Sequence, residues 1–307
     1  MISIFMKFKI FFIIILLISC NNNKKSSTDT VEKKSDAENI ILYNNVLIKF
    51  VNDADRKMSQ VARELNNLSF GVENKNASKI LSRFAFASSI DPELESKFQG
   101  VNLLEPEDYI PSEYQDSLVY YTKNAHQAYG NVKESYTSFD KYLKNEDYAD
   151  DDWKSAGEYI KEMDKNLGIF FNNKIKLLQK IKPLADKAEE KILEDHPYGE
   201  AIITAKKDLG LALDIENLIF SEQINYKTIE EKYAALESNY EKNKEANLSA
   251  LKEYRKDKQY NNFYNSLESF IGLVRKAKRD GVIDENEAKE IDRKYSSLIS
   301  FYNTFVQ

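Results

Sequence analysis

From Leu47 onward the apolar residues fall at Val51, Ala54, Met58, Val61, Leu65 and Leu68, in alternating steps of four and three. A strand would alternate every second residue, so this spacing places all seven side chains on one face of a helix for about six turns. The same stepping recurs at Tyr114, Leu118, Tyr121, Ala125, Ala128 and Val132, and at Trp153, Ala156, Ile160, Met163, Leu167 and Phe170. It returns at Phe263, Leu267, Phe270, Val274 and Ala277, and closes the chain at Ile291, Tyr295, Leu298, Tyr302 and Phe305. Two further helical stretches, about Gly199 to Phe220 and Thr228 to Asp257, show weaker periodicity. With nine Gly and five Pro in 307 residues there are too few turn residues for many short strands.

Each seam must be covered by another helix, and each ends at a turn signal. The expected fold is therefore all-α, an elongated antiparallel helical bundle of about seven or eight helices. Its length follows from roughly 45 Å for a helix of about 30 residues. Asp152 is expected to cap the helix starting at Trp153, while Thr228 with Glu231 and Asp284 with Glu287 form capping boxes. Pro183 should kink or divide the long helix that begins at Trp153, and Pro197 should stop it. Ser88 to Ser112 carries Pro92, Gly100, Pro106 and Pro111 with little periodicity, which predicts a Pro-containing crossover loop and a place for recognition outside the bundle.

The N-terminus obeys different rules. Lys7 and Lys9 precede an unbroken apolar run from Ile10 to Ile18, followed by Ser19 and Cys20. A positive start and a short apolar middle are the parts of an export signal, and the run falls far short of the roughly 20 residues needed to span a bilayer. Cys20 is the only cysteine, so no intramolecular disulfide can form. Asn21 to Glu38 is almost wholly polar, a composition that stays solvated and acts as a tether. The chain thus divides into an export signal at 1–19, Cys20 with a polar tether at 20–38, and a single helical-bundle domain at 39–307.

Few residues in the sequence point to chemistry. His126 and His196 are the only histidines, neither lies in a Glu-x-x-His or His-Glu-x-x-His pattern, and no Gly-rich phosphate loop or Gly-x-Ser-x-Gly elbow occurs. No enzyme activity and no cofactor are expected. Asp280-Gly281-Val282-Ile283-Asp284-Glu285-Asn286-Glu287 matches the second half of a calcium loop, making Asp280, Asp284 and Glu287 the candidate metal ligands. Against it, Lys276 and Lys278 stand where the first carboxylates should be, and a plain turn with Gly281 ending one helix and Asp284 capping the next explains the same residues. The acidic run Glu146, Asp147, Asp150, Asp151, Asp152 reads either as a weak cation site or as charge gathered at a helix N-terminus. With a formal charge of −6 the chain repels phosphate backbones, and the basic group Arg275, Lys276, Lys278, Arg279 ends a helix, so nucleic acid is not an expected partner. Seam tyrosines are core residues first, although their hydroxyls need partners and leave room for a ligand-holding channel.

Leu17-Ile18-Ser19-Cys20 resembles the lipobox of bacterial lipoproteins. That resemblance implies a diacylglycerol thioether on Cys20, cleavage before it, and acylation of the new amino group. Asn21, which is not the retention Asp, favours an outer membrane where the cell has one. Ile41-Leu42-Tyr43-Asn44-Asn45, Phe263-Tyr264-Asn265-Ser266-Leu267-Glu268-Ser269-Phe270 and Lys294-Tyr295-Ser296-Ser297-Leu298-Ile299-Ser300-Phe301-Tyr302-Asn303 resemble the YiiG-like family of bacterial lipoproteins, over Ile40 to Phe305. The family implies an all-helical domain with no catalytic residues to carry over. The expected role is a membrane-anchored, non-enzymatic interaction or scaffolding domain of the cell envelope, with membrane lipid and an envelope protein as partners. An extracytoplasmic receptor for a small molecule or metal is the alternative.

Overall fold

The computed structural model describes residues 35–80, 91–221, 223–246, 248–279 and 281–307. They form helices α1 (Asp36–Glu73), α2 (Ala77–Ile80), α3 (Ser112–Lys144), α4 (Tyr148–Asp151), α5 (Lys154–Leu193), α6 (Gly199–Ile219), α7 (Tyr226–Asn243), α8 (Leu248–Glu253), α9 (Asp257–Ala277) and α10 (Glu285–Val306). The one sheet among the described residues pairs β1 (Glu95–Ser96) with β2 (Val101–Asn102). The expected all-α class is therefore the observed one. Three of the predicted seams, Leu47 to Leu68, Phe263 to Ala277 and Ile291 to Phe305, are buried at every position named.

Two compact units divide the chain, one of residues 32–188 and one containing 189–307. The boundary falls inside α5, where the sequence offered no linker and read as one body from 39 to 307. In the first unit α1, α3 and α5 carry the core. Phe50 lies against His126 with ring centres 6.2 Å apart, and the Tyr136 hydroxyl reaches Glu64, so α1 and α3 run parallel. The long connection between them is what permits this, because a short loop would force antiparallel neighbours. Helix α5 runs antiparallel to both: Lys174 pairs with Asp55 and Lys75 with Asp152, while Asn131 bonds Asn166.

In the second unit α6, α7, α9 and α10 pack on one another. Asp214 pairs with Lys232, Glu230 with Lys278, and Phe263 and Phe270 face Tyr302 and Tyr295, so α6–α7, α7–α9 and α9–α10 are all antiparallel.

Several helix boundaries differ from expectation. Helix α1 starts inside the predicted tether: Ser35 Oγ accepts from the Glu38 amide at 3.3 Å and Glu38 Oε2 accepts from the Ser35 amide at 2.7 Å. Residues 35–38 are thus a capping box and first turn. Asp151, not Asp152, caps α5. Its two oxygens accept from the amides of Trp153 at 3.1 Å and Ser155 at 2.9 Å, because Asp152 and Trp153 both take left-handed backbone (φ +54° and +72°). Asn225, accepting from the Thr228 amide at 3.1 Å, caps α7 ahead of the predicted box. Pro183 does not divide α5, which continues through it to Leu193. The predicted helix from Thr228 to Asp257 is broken into α7, α8 and the start of α9, with Arg255 in left-handed backbone at φ +57°.

Candidate functional site

Along α6 the buried residues include Ala201, Ala205, Asp208, Ala212, Ile215 and Ile219, again in steps of four and three, with a carboxylate occupying one step. Helix α7 presents Ile229, Tyr233, Leu236, Tyr240 and Asn243 in the same stepping, so an amide ends its seam. Helix α9 adds Tyr260 and Tyr264. These polar seam positions meet. Asp208 Oδ1 accepts from Asn239 Nδ2 at 3.0 Å, and Oδ2 accepts from Asn243 Nδ2 at 3.0 Å and from the Tyr264 hydroxyl at 2.9 Å. The Tyr260 hydroxyl donates to the Asn243 carbonyl at 2.6 Å, and the two tyrosine rings lie 4.6 Å apart.

Asp208 has 0 % exposure, and these three donors are all neutral. Removal from water pushes its carboxyl above the usual range, and the bonds from Asn243, Tyr264 and Asn239 oppose that shift without cancelling it. Burial, followed by the Asp208 charge, pushes the Tyr264 phenol up, and burial raises Tyr260 to about 12. Further along α6, Glu216 is also buried, and Tyr295 is pushed up by burial first and by Glu216 next. A carboxylate enclosed by three donors is poorly placed to take a proton from a substrate. It is well placed to fix the register of three helices, since a slip of either neighbour strands buried donors.

Of the residues singled out in the sequence, Cys20 and Asp280 lie outside the described residues. Asp284 Oδ1 accepts from the amides of Asn286 and Glu287, both at 2.8 Å, and Glu287 Oε2 accepts from the Asp284 amide at 3.2 Å. These carboxylates serve the capping box of α10 as predicted, with Gly281 at φ +76° in the turn before it. No group of three or more metal-ligating side chains occurs among the described residues. In the acidic run, Asp151 is held down to about 2, first by its bonds to Ser155 and next by Tyr142, while Asp152 pairs with Lys75 at 2.5 Å. His126 packs on Phe50, and His196 meets Tyr198 edge-on at 4.4 Å; burial lowers both. In the basic group, Arg275 bonds the Tyr233 hydroxyl at 2.8 Å and Glu237 at 2.5 Å, and Lys278 sits 3.6 Å over the Tyr233 ring. Both cations are engaged within the fold. The seam tyrosines are core: Tyr295 and Tyr302 are buried, and Tyr114 and Tyr121 are partly so.

The crossover holds a second feature. Beyond residues 81–90, which lie outside the described set, the loop folds into the β1–β2 hairpin with Glu95 opposite Asn102 and Ser96 opposite Val101. Pattern alone could not reveal strands of two residues. Next to the hairpin, Asp36, Asn39 and residues 107–111 line a surface cleft of about 300 Å³.

The Asp208 network belongs to no catalytic motif and shows in the sequence only as an interrupted seam. Asp208 stands three residues after Ala205 and four before Ala212, where an apolar residue belongs. This also explains the weak periodicity of α6 and α7.

No protein-family model matches the chain, and no curated protein does. Among solved structures the chain is similar to one described as an alpha helical protein from Bacteroides fragilis NCTC 9343, at 18% identity over 86% of this chain and 98% of that one, with a TM-score of 0.54. An uncharacterized DUF3829-like protein from Bacteroides thetaiotaomicron VPI-5482 is similar at 19% identity over 87% and 98%, with a TM-score of 0.49. The first likeness concerns the fold alone.

Proposed function

We propose that this chain is a bacterial lipoprotein, held at a membrane by acyl chains on Cys20, whose helical body is a non-enzymatic interaction or scaffolding module of the cell envelope. The observation that favours a scaffold over a catalyst is Asp208: this fully buried acid of the 189–307 unit directs both oxygens at its own helices. The lipobox-like Leu17-Ile18-Ser19-Cys20 supports the anchor, and two or more acyl chains make it durable where one would not. No described helix is long and apolar enough to cross a membrane. Asn21 after the modified cysteine favours the outer membrane where there are two.

Crosslinking in intact cells of the full chain, tagged at its C-terminus, tests the module. The same envelope protein should be recovered repeatedly, and surface substitutions in the helical body should remove it. Contacts that survive every body substitution and vanish only with the acyl chains contradict a scaffolding role.

The cleft beside Asp36 and Asp108 favours a second reading, a receptor for a small molecule or cation, because about 300 Å³ is at the lower limit for such sites. Thermal unfolding with divalent cations and small metabolites in excess tests it: a bound ligand at 100 times its Kd adds about 2.7 kcal/mol. An unchanged midpoint across the panel removes this reading.

A further inference from the structure

We propose that the β1–β2 hairpin is a second membrane contact, in which Phe98 enters the lipid surface that carries the Cys20 anchor; this rests on the anchored reading above. Phe98 is 95 % exposed, the most exposed of the large hydrophobic residues described. The turn that carries it is well fixed. Ser96 carbonyl oxygen accepts from the amides of Gln99 at 3.1 Å and Gly100 at 2.7 Å, and Gly100 takes the left-handed backbone (φ +68°) that closes it. Behind the turn, Val101 and Leu103 are fully buried, and the Tyr109 hydroxyl donates to the Gly100 carbonyl at 2.9 Å. The hairpin therefore has a rooted base and an aromatic tip in water.

A lone exposed apolar side chain is ordinary, and what distinguishes this one is its position. The Tyr43 hydroxyl, near the start of α1, donates to the Leu103 carbonyl at 2.9 Å, and the Tyr43 and Tyr109 rings are 6.4 Å apart. Asp36 and Asn39, on the first turn of α1, share a cleft with residues 107–111. The hairpin thus stands at the end of the 32–188 unit where the chain arrives from Cys20. Fifteen residue steps separate Cys20 from Ser35, a reach of no more than about 50 Å, so an anchored chain keeps this end within that distance of the lipid surface. Tethering makes the second contact intramolecular, so a tip too weak to bind a bilayer alone is driven onto it by its high local concentration.

Charge selects the surface. Glu93, Glu95, Glu105, Glu107 and Asp108 are exposed around the hairpin, against Lys97 beside the tip. They oppose anionic headgroups and suit a zwitterionic surface that presents ammonium groups, such as phosphatidylethanolamine.

The test uses the full chain, acylated in cells and reconstituted into vesicles of phosphatidylethanolamine and phosphatidylcholine, with and without Phe98→Trp. Position 98 is too exposed for the change to disturb folding, and the native Trp153 is buried against Tyr148. The added emission should be blue-shifted and quenched at least twofold when the phosphatidylcholine is brominated high on its acyl chains. It should be quenched less when phosphatidylglycerol replaces phosphatidylethanolamine. Acylated chain that floats with vesicles while the emission added by Phe98→Trp stays unshifted and unquenched overturns the second contact and leaves the anchor standing. Equal or greater quenching on phosphatidylglycerol overturns the headgroup preference. A chain with intact Cys20 that carries no acyl group overturns both the contact and the anchored reading.

Discussion

Asp208 joins three helices through a single buried side chain. Replacing it with Ala leaves the buried Asn243 and Tyr264 donors, and the half-buried Asn239 amide, without their acceptor, which should cost about 2–4 kcal/mol in urea unfolding. Asp208→Asn keeps one acceptor and should cost less. The acid also sets a pH dependence. Its folded pKa is raised, so the folded state holds the proton more firmly than the unfolded chain does. Its contribution is therefore fully present below the unfolded value, near 3.9, and is lost as pH rises through the folded value. Relative to Asp208→Asn, the unsubstituted protein should lose stability as pH rises from about 4 toward neutrality; parallel profiles for the two would contradict this. Asp151 moves the other way, being lowered, so its contribution disappears on acidification. The apolar partners of Asp208 were legible as seams, but the acid was not, because periodicity counts only apolar residues and a buried carboxylate appears there as a gap.

At the level of elements, seam positions were recovered far better than ends. Phase is repeated many times along a helix, whereas a boundary rests on one or two local bonds. Asp151 and Asp152 are adjacent carboxylates, and only the left-handed backbone at 152 and 153 decides which caps α5. Asp151→Ala should lower the melting temperature and Asp152→Ala should leave it nearly unchanged. Pro183 sits exposed in α5 and denies the helix one donor, so Pro183→Ala should raise stability by up to about 3 kcal/mol. A drop in stability would show that the proline's ring is needed where it is. Gly199 opens α6 against the end of α5, where an added Cβ would lie 2.1 Å from the Leu193 carbonyl oxygen. That contact is with backbone and cannot be relieved by a side-chain turn, so Gly199→Ala should cost about 1–3 kcal/mol. Nothing in the sequence signalled that approach, since it depends on how two helices meet.

On the scale of the whole molecule, the boundary between the two units falls within α5, where Pro183 is a lone signal with no Gly or Ser beside it and the helix runs on unbroken. That is why one body was expected between 39 and 307. The parallel pairing of α1 with α3 follows from the crossover, a feature the sequence did announce. Cys20 is the one covalent link between this helical body and a membrane in the proposed role, and the decisive measurement is the intact mass of the full-length gene product extracted from the membrane fraction of its cell. The extracted chain should begin at Cys20 and be heavier than its amino acids by a diacylglyceryl group and an acyl chain, and a Cys20→Ser protein should keep its first nineteen residues and gain no lipid. An unmodified cysteine in the extracted protein, or normal lipid on Cys20→Ser, would contradict it.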